Sequence, residues 1–253
     1  MAKYRTNTAS GDYDRKNRFL LLVDNDANNL YYMSMILQRL DYRVTTAENA
    51  EEAVAIVTVA EPCLFIVSLE LPGLSGIELI QQLKENRSIA PIPIIAIRKQ
   101  DDLIGEKRCL ELGVADCLVY PISAEKLFRA VQTAAETRPR AHIRIRTLLP
   151  VKVNNVSPNG LDGTSAVVLS ECGLFLPTTR PAPVDTRLFI RLELKKRSIT
   201  MEALVLYNNH TIGESYQVLG MGVEFCRISP KDQELIRLYI RDEVTRGIMP
   251  LND

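Results

Sequence analysis

Arg138-Pro139-Arg140-Ala141-His142-Ile143-Arg144 divides the chain into two halves with different hydrophobic periods. Upstream, short continuous apolar runs alternate with helical patterns; downstream, apolar residues recur at every second position until one last helical pattern. Continuous apolar runs mark strands buried on both faces, whereas alternation marks strands with one face in water. The stretch is therefore a domain junction, and a basic one.

Working back from it, apolar runs fall at 19–23, 42–44, 64–67, 92–97 and 117–119. Leu30, Met33, Leu37 and Leu40 form a helical stripe between the first two. Ser75 with Glu78 has the form of a capping box opening a helix that carries Ile77, Leu79, Ile80 and Leu83, and Asn49 with Glu52 repeats that form. Strand and helix alternating in this way predict a doubly wound five-stranded parallel sheet, whose ligands lie at the carboxyl ends of the strands. Those ends carry Asp24-Asn25-Asp26, Ser68, Arg98 and Tyr120-Pro121.

Working forward, Leu188, Ile190, Leu192 and Leu194 share one face of a strand, and Ile199, Met201, Ala203, Val205 and Tyr207 share one face of the next. The polar segment 195–198 between them makes a hairpin. Runs at 151–153, 166–169, 173–176 and 217–225 bring the count to about six strands, an antiparallel barrel or sandwich. Ser229-Pro230-Lys231-Asp232 caps a final helix with an apolar edge of Leu235, Ile236, Tyr239 and Ile240, expected to cover an open end of the barrel. The predicted divisions are a disordered segment 1–17, an α/β domain 18–137, a basic linker and ligand arm 138–150, and a barrel domain with its helix at 151–253.

Lys+Arg and Asp+Glu balance at 31 each, so no global field draws nucleic acid or an anionic membrane, and any basic site must be local. The five cysteines are scattered in apolar runs, which reads as free thiols in a reducing cytoplasm. No cysteine pair has metal-ligand spacing and there are two histidines, so no metal is expected. No apolar run approaches a membrane span and no signal-peptide pattern is present. With no nucleophile beside a base and no glycine-rich phosphate loop, neither an enzyme nor a cofactor is expected.

The first half resembles a response-regulator receiver domain of the CheY-like fold. The resemblance is carried by Phe19-Leu-Leu-Leu-Val-Asp-Asn-Asp, by Val67-Ser-Leu-Glu-Leu-Pro-Gly-Leu-Ser-Gly-Ile-Glu-Leu, by Pro93-Ile-Ile-Ala-Ile and by Leu118-Val-Tyr-Pro. The family keeps an acidic pair for magnesium, an aspartate that accepts phosphate, a Thr or Ser switch, and a lysine before the last proline. Here those positions hold Asp24 and Asn25, Ser68, Arg98 and Tyr120. A serine hydroxyl forms no acyl phosphate, and magnesium would find one carboxylate, or two if Asp26 turns inward. The resemblance thus implies a pseudo-receiver that neither binds magnesium nor relays phosphate. Arg98 is expected either to pair with Asp24 or Asp26 in place of the metal or to point into solvent. In the family, the face made by the fourth helix, fifth strand and fifth helix meets partner proteins or a second receiver. Here it corresponds to 101–137, with Ile104, Leu110, Leu118, Leu127, Phe128 and Val131 expected mostly in the core; a homodimer is left open.

The second half resembles a PilZ domain, the bacterial receptor module for cyclic di-GMP. Its landmarks are Arg140-x-x-x-Arg144 before Leu149-Pro150-Val151, the segment Leu169-Ser170-Glu171-Cys172-Gly173-Leu174, Gly222-Val223-Glu224-Phe225, and Ser229-Pro230-x-Asp232-Gln233. Guanidinium forks match phosphate oxygens bidentately and stay charged at any working pH, so Arg140 and Arg144 are the expected phosphate contacts. Ser170 and Gly173 fit the family's Asp/Asn-x-Ser-x-x-Gly pattern, but its acidic position holds Val168. Two readings follow. In one, the chain is a cytoplasmic signalling protein of motility, pili or biofilm formation that responds to cyclic di-GMP, with an arm ordered on capture, while its pseudo-receiver docks a protein partner. In the other, both pockets are retired and the chain is a scaffold.

Overall fold

The computed structural model describes residues 18–137, 139–154, 165–195, 197–209 and 219–248; the expectation of disorder at 1–17 lies outside them. The chain divides into two compact units, the division falling between Ala141 and His142.

The first unit runs β1 (Phe19–Val23), α1 (Ala27–Arg39), β2 (Arg43–Ala47), α2 (Ala50–Val59), β3 (Leu64–Ser68), α3 (Gly76–Glu85), β4 (Ile94–Arg98), α4 (Leu103–Glu111), β5 (Asp116–Val119) and α5 (Ala124–Ala135). Its five strands are ordered β2-β1-β3-β4-β5 and every neighbouring pair is parallel. β3 and β4 are buried at every position, as strands covered on both faces must be. Edge strand β2, with Arg43 exposed, carries the mixed composition of a strand with one side in water. The capping box of Ser75 and Glu78 opens α3, and Asn49 caps α2 through the Glu52 amide. The chain order reverses between β1 and β3, so their carboxyl ends open the crevice in which Asp24 and Ser68 lie.

The second unit is a closed antiparallel barrel of β6 (Ile145–Val153), β7 (Ser165–Ser170), β8 (Gly173–Pro177), β9 (Arg187–Leu194), β10 (Arg197–Asn209) and β11 (Gly220–Arg227), followed by α6 (Pro230–Thr245). The strand order is β10-β11-β8-β7-β6-β9, and β9 pairs back with β10. Closure leaves no open sheet edge. Residues 145–150, expected in the linker arm, are the first two-thirds of β6. Arg146 faces Val168 and Leu149 faces Ala166, so β6 spends one residue more than β7 over that interval. Burial nonetheless keeps the two-residue period along β6, with Ile145, Leu149, Val151 and Val153 inside and Leu148, 79% exposed, on the outer face.

α6 is capped as its sequence predicts, Ser229 Oγ accepting from the Asp232 amide at 3.1 Å. Ile236, Ile240 and Val244 are its buried stripe. Lys195, in the β9–β10 turn, reaches it through Asp242 at 3.1 Å and the face of Tyr239. No helix among the described residues is long and apolar enough to cross a membrane.

Candidate functional site

At the carboxyl end of the parallel sheet, Asp24 is 1% exposed and its carboxylate is surrounded. Oδ1 accepts from the Asp26 amide at 2.9 Å; Oδ2 accepts from Asn29 Nδ2 at 3.4 Å and from the Tyr120 hydroxyl at 2.5 Å. Burial raises the Asp24 pKa, and those three donors only partly offset it. Burial and the adjacent Asp24 carboxylate likewise raise the Tyr120 phenol, which keeps it a donor at ordinary pH. Asp26 does not turn inward: it is exposed and caps α1, its Oδ1 accepting from the amides of Asn28 at 2.8 Å and Asn29 at 3.4 Å. Asn25 is exposed.

Ser68 is buried, and its Oγ accepts from the Glu70 amide at 3.4 Å. The turn that follows is tight against it. A Cβ on Gly76 would lie 2.1 Å from the Ser68 carbonyl oxygen, so only glycine lets α3 begin so close to β3. Glu70 pairs with Lys99.

Arg98 corrects both expectations for it. It neither reaches Asp24 or Asp26 nor points into solvent. Being 8% exposed, it turns toward α4, where Nη2 donates to Glu106 Oε2 at 2.6 Å and Nη1 donates to the carbonyls of Lys99 and Gln100, each at 3.0 Å. The Cys117 thiol is pulled down by the S–H of Cys109 and by this same guanidinium. The partner that does meet Asp24 is Tyr120, the residue in the lysine position. A phenol carries no charge, so charge matching in the sequence did not point to it.

On the face expected to meet partners, Leu118, Leu127, Phe128 and Val131 are buried, but Ile104 and Leu110 are 80% and 75% exposed. With Leu103 they are exposed apolar residues on α4, interspersed with exposed Lys107, Arg108 and Glu111, while Gly105 and Cys109 are its buried positions.

In the barrel unit, Arg144 is exposed and immediately precedes β6, whose first paired residue, Ile145, faces Leu169. Arg140 belongs to the first unit, where its backbone N–H donates to Gln132 Oε1 at 2.7 Å. Ser170 and Gly173 pair across a two-residue turn made by Glu171 and Cys172. The Ser170 hydroxyl donates to the Gly173 carbonyl at 3.1 Å, and a Cβ on Gly173 would stand 2.3 Å from the Val223 carbonyl oxygen on β11. Both residues therefore have turn-building roles. Val168 lies in β7 opposite Phe175 and Arg146, half-buried. Within the turn, Glu171 is held by Arg237 Nε at 2.8 Å and by His142. Burial pushes its pKa upward, but these two partners outweigh burial and hold it below the usual carboxylate range.

The family models agree with this division. The response regulator receiver domain matches residues 20–132, and the PilZ domain matches residues 138–242. The chain is thus a signalling protein joining a receiver domain to a PilZ domain, a module of the cyclic di-GMP-binding type. Among relatives of the receiver half, the two-component response regulator-like protein APRR1 of Arabidopsis thaliana is 29% identical over 46% of this chain and 19% of its own length. The phosphate regulon transcriptional regulatory protein PhoB of Pseudomonas aeruginosa is 32% identical over 43% of this chain and 47% of its own. Protein PilH of the same organism is 25% identical over 44% and 93%. The chain thus spans less than half the length of the first two. A solved structure of chemotaxis protein CheY4 from Vibrio cholerae, 23% identical, aligns over 46% of this chain and 98% of its own with a TM-score of 0.44.

Proposed function

We propose that the chain is a non-enzymatic cyclic di-GMP effector whose receiver half is a permanently set protein-docking module. The observation that supports the input is the entry to the barrel: Arg144 immediately precedes β6, whose first residue, Ile145, faces Leu169, the neighbour of Ser170. Arg140 and Arg144 hold the phosphates by bidentate guanidinium contacts.

For the receiver half, the support is the donor set around Asp24. Magnesium takes several hard oxygens. Here the Asp24 carboxylate already accepts three hydrogen bonds, Asp26 is spent on a helix cap, and Ser68 supplies a hydroxyl tied to the Glu70 amide. That set does not fit the ion, and Ser68 offers no carboxylate to phosphorylate. Incubation with acetyl phosphate or beryllofluoride is expected to leave the protein unlabelled and its hydrogen-exchange pattern unchanged. A stable phosphoprotein would end the reading. The docking surface is the outer face of α4, where the exposed Leu103, Ile104 and Leu110 stand among Lys107 and Glu111; its partner is another protein, and the output class is motility, pili or biofilm formation.

The scaffold reading is favoured by one observation. Ser170 and Gly173 are explained by the turn alone, while Val168 has no acceptor for a guanine edge. Isothermal titration with cyclic di-GMP separates the two: heat of binding supports the effector, and no heat from folded protein supports the scaffold. Val168→Asp sharpens the test. A carboxylate at that half-buried position accepts from the base, and one charge-assisted hydrogen bond contributes about 1.5–3 kcal/mol. Affinity is expected to rise about 10- to 100-fold. An unchanged affinity would mean that the base does not lie over β7.

A further inference from the structure

Between the residues assigned to the phosphates and to the turn, and used by neither, His142, Glu171 and Cys172 converge in the barrel unit, with one ligand atom from each lying within 4.8 Å of the others and all three side chains half-buried. Two of the three sit on a fixed platform. Glu171 and Cys172 are the loop residues of the β7–β8 turn, closed by the Ser170–Gly173 pair and by the Ser170 hydroxyl. His142 comes from the segment entering β6, far away in sequence, which is why spacing among the cysteines gave no sign of it. Arg237 Nε holds the second Glu171 oxygen at 2.8 Å and so fixes the plane of the carboxylate.

We propose that His142, Glu171 and Cys172 bind a divalent transition metal of the zinc class. The donor set decides the class. An imidazole nitrogen, a thiolate and a carboxylate oxygen together suit a borderline-soft cation, whereas magnesium and calcium take oxygen alone. Three protein ligands match the number that zinc accepts when its fourth position stays open. With bonds of about 2.0–2.3 Å, tetrahedral ligand atoms stand about 3.3–3.6 Å apart. The ligand atoms already lie within 4.8 Å of one another, and the adjustment to tetrahedral spacing includes opening the direct His142–Glu171 contact. His142 Nδ1 now faces Glu171 Oε1, and the cation takes the place of that contact. Cys172 loses its thiol proton to solvent as the metal–sulfur bond forms, with no change of oxidation state. The Arg237 contact becomes the outer support of a metal-bound carboxylate. Occupancy ties His142, in the segment entering β6, to the β7–β8 turn. The site stands whether or not cyclic di-GMP binds.

The test uses the full chain, stripped with a chelator and titrated with Co²⁺, with Zn²⁺ as competitor. Expected are a near-ultraviolet thiolate-to-cobalt charge-transfer band and tetrahedral visible absorption, saturating at one equivalent and abolished by Zn²⁺. Cys172→Ser, nearly isosteric, removes the charge-transfer band, and His142→Ala weakens binding at least tenfold. Arg237→Ala keeps the band but weakens binding about 10- to 100-fold. Cys226→Ser, which removes an exposed thiol elsewhere, changes nothing. Circular dichroism verifies that each variant is folded. Absence of the band from folded wild-type protein, which would reduce the cluster to a His142–Glu171 ion pair, overturns the proposal. So does a band that survives in Cys172→Ser.

Discussion

Replacing Arg140 and Arg144 together by alanine is expected to weaken cyclic di-GMP binding by about 10²- to 10⁴-fold, the largest effect of any change considered. Each guanidinium contributes a charge-assisted contact of about 1.5–3 kcal/mol, so the pair accounts for about 3–6 kcal/mol if the contributions add, and every 1.4 kcal/mol is about tenfold in affinity. Lysine at both positions is expected to recover only part of the loss, because an ammonium keeps the charge and gives up the two-pronged match to phosphate. The salt dependence of binding should also shrink in the alanine variant, since fewer charges meet across solvent. Isothermal titration at two ionic strengths measures all of this. If the double variant binds as tightly as the parent, the arm is not the ligand element and the input enters elsewhere.

Much of the architecture was legible because it rests on period. Continuous runs such as Leu64–Ser68, and the alternation from Leu188 to Leu194, each admit one placement in a packed protein. What was illegible has local causes. The start of β6 was assigned to the arm although Ile145, Thr147 and Leu149 keep the period, because apolar Leu148 and Pro150 at its outward positions blur the alternation. The site at Asp24 was read by charge, which pointed to Arg98, whereas the structure answers a buried carboxylate with the neutral Tyr120 hydroxyl and sends Arg98 to Glu106. A guanidinium on β4 follows the nearest carboxylate its strand direction permits, and nothing in a linear pattern gives that direction. Ile104 and Leu110 read as core because they are apolar, yet α4 is so short that Gly105 and Cys109 already fill its inner face. The same limit applies to His142, Glu171 and Cys172, which the pairing of β6 with β7 brings together.

Tyr120→Phe is expected to destabilise the parallel-sheet unit by about 1.5–3 kcal/mol at neutral pH, the cost of withdrawing a charge-assisted donor from a buried carboxylate. The substitution changes no volume that matters and leaves the Asp26 amide and Asn29 in place, so the loss is that of one hydrogen bond. Its pH dependence identifies the mechanism. The Asp24 pKa is raised in the folded protein because burial outweighs its donors, Tyr120 foremost among them. A carboxyl whose folded pKa is raised favours the folded state when protonated, and that contribution is lost as pH rises through the folded pKa. Removing the Tyr120 donor raises that pKa further, so the variant loses more than the parent at neutral pH and less at acid pH. As pH falls through the folded Asp24 pKa, which burial holds above the ordinary aspartate value, the carboxyl takes up its own proton, and the gap between Tyr120→Phe and the parent should narrow to about 0.5–1.5 kcal/mol, the value of a neutral hydrogen bond. Urea unfolding followed by hydrogen exchange of the β1 and β3 amides isolates this unit from the barrel. A gap that is independent of pH would show that Tyr120 acts through packing, and that Asp24 is not held as a carboxylate by its hydroxyl.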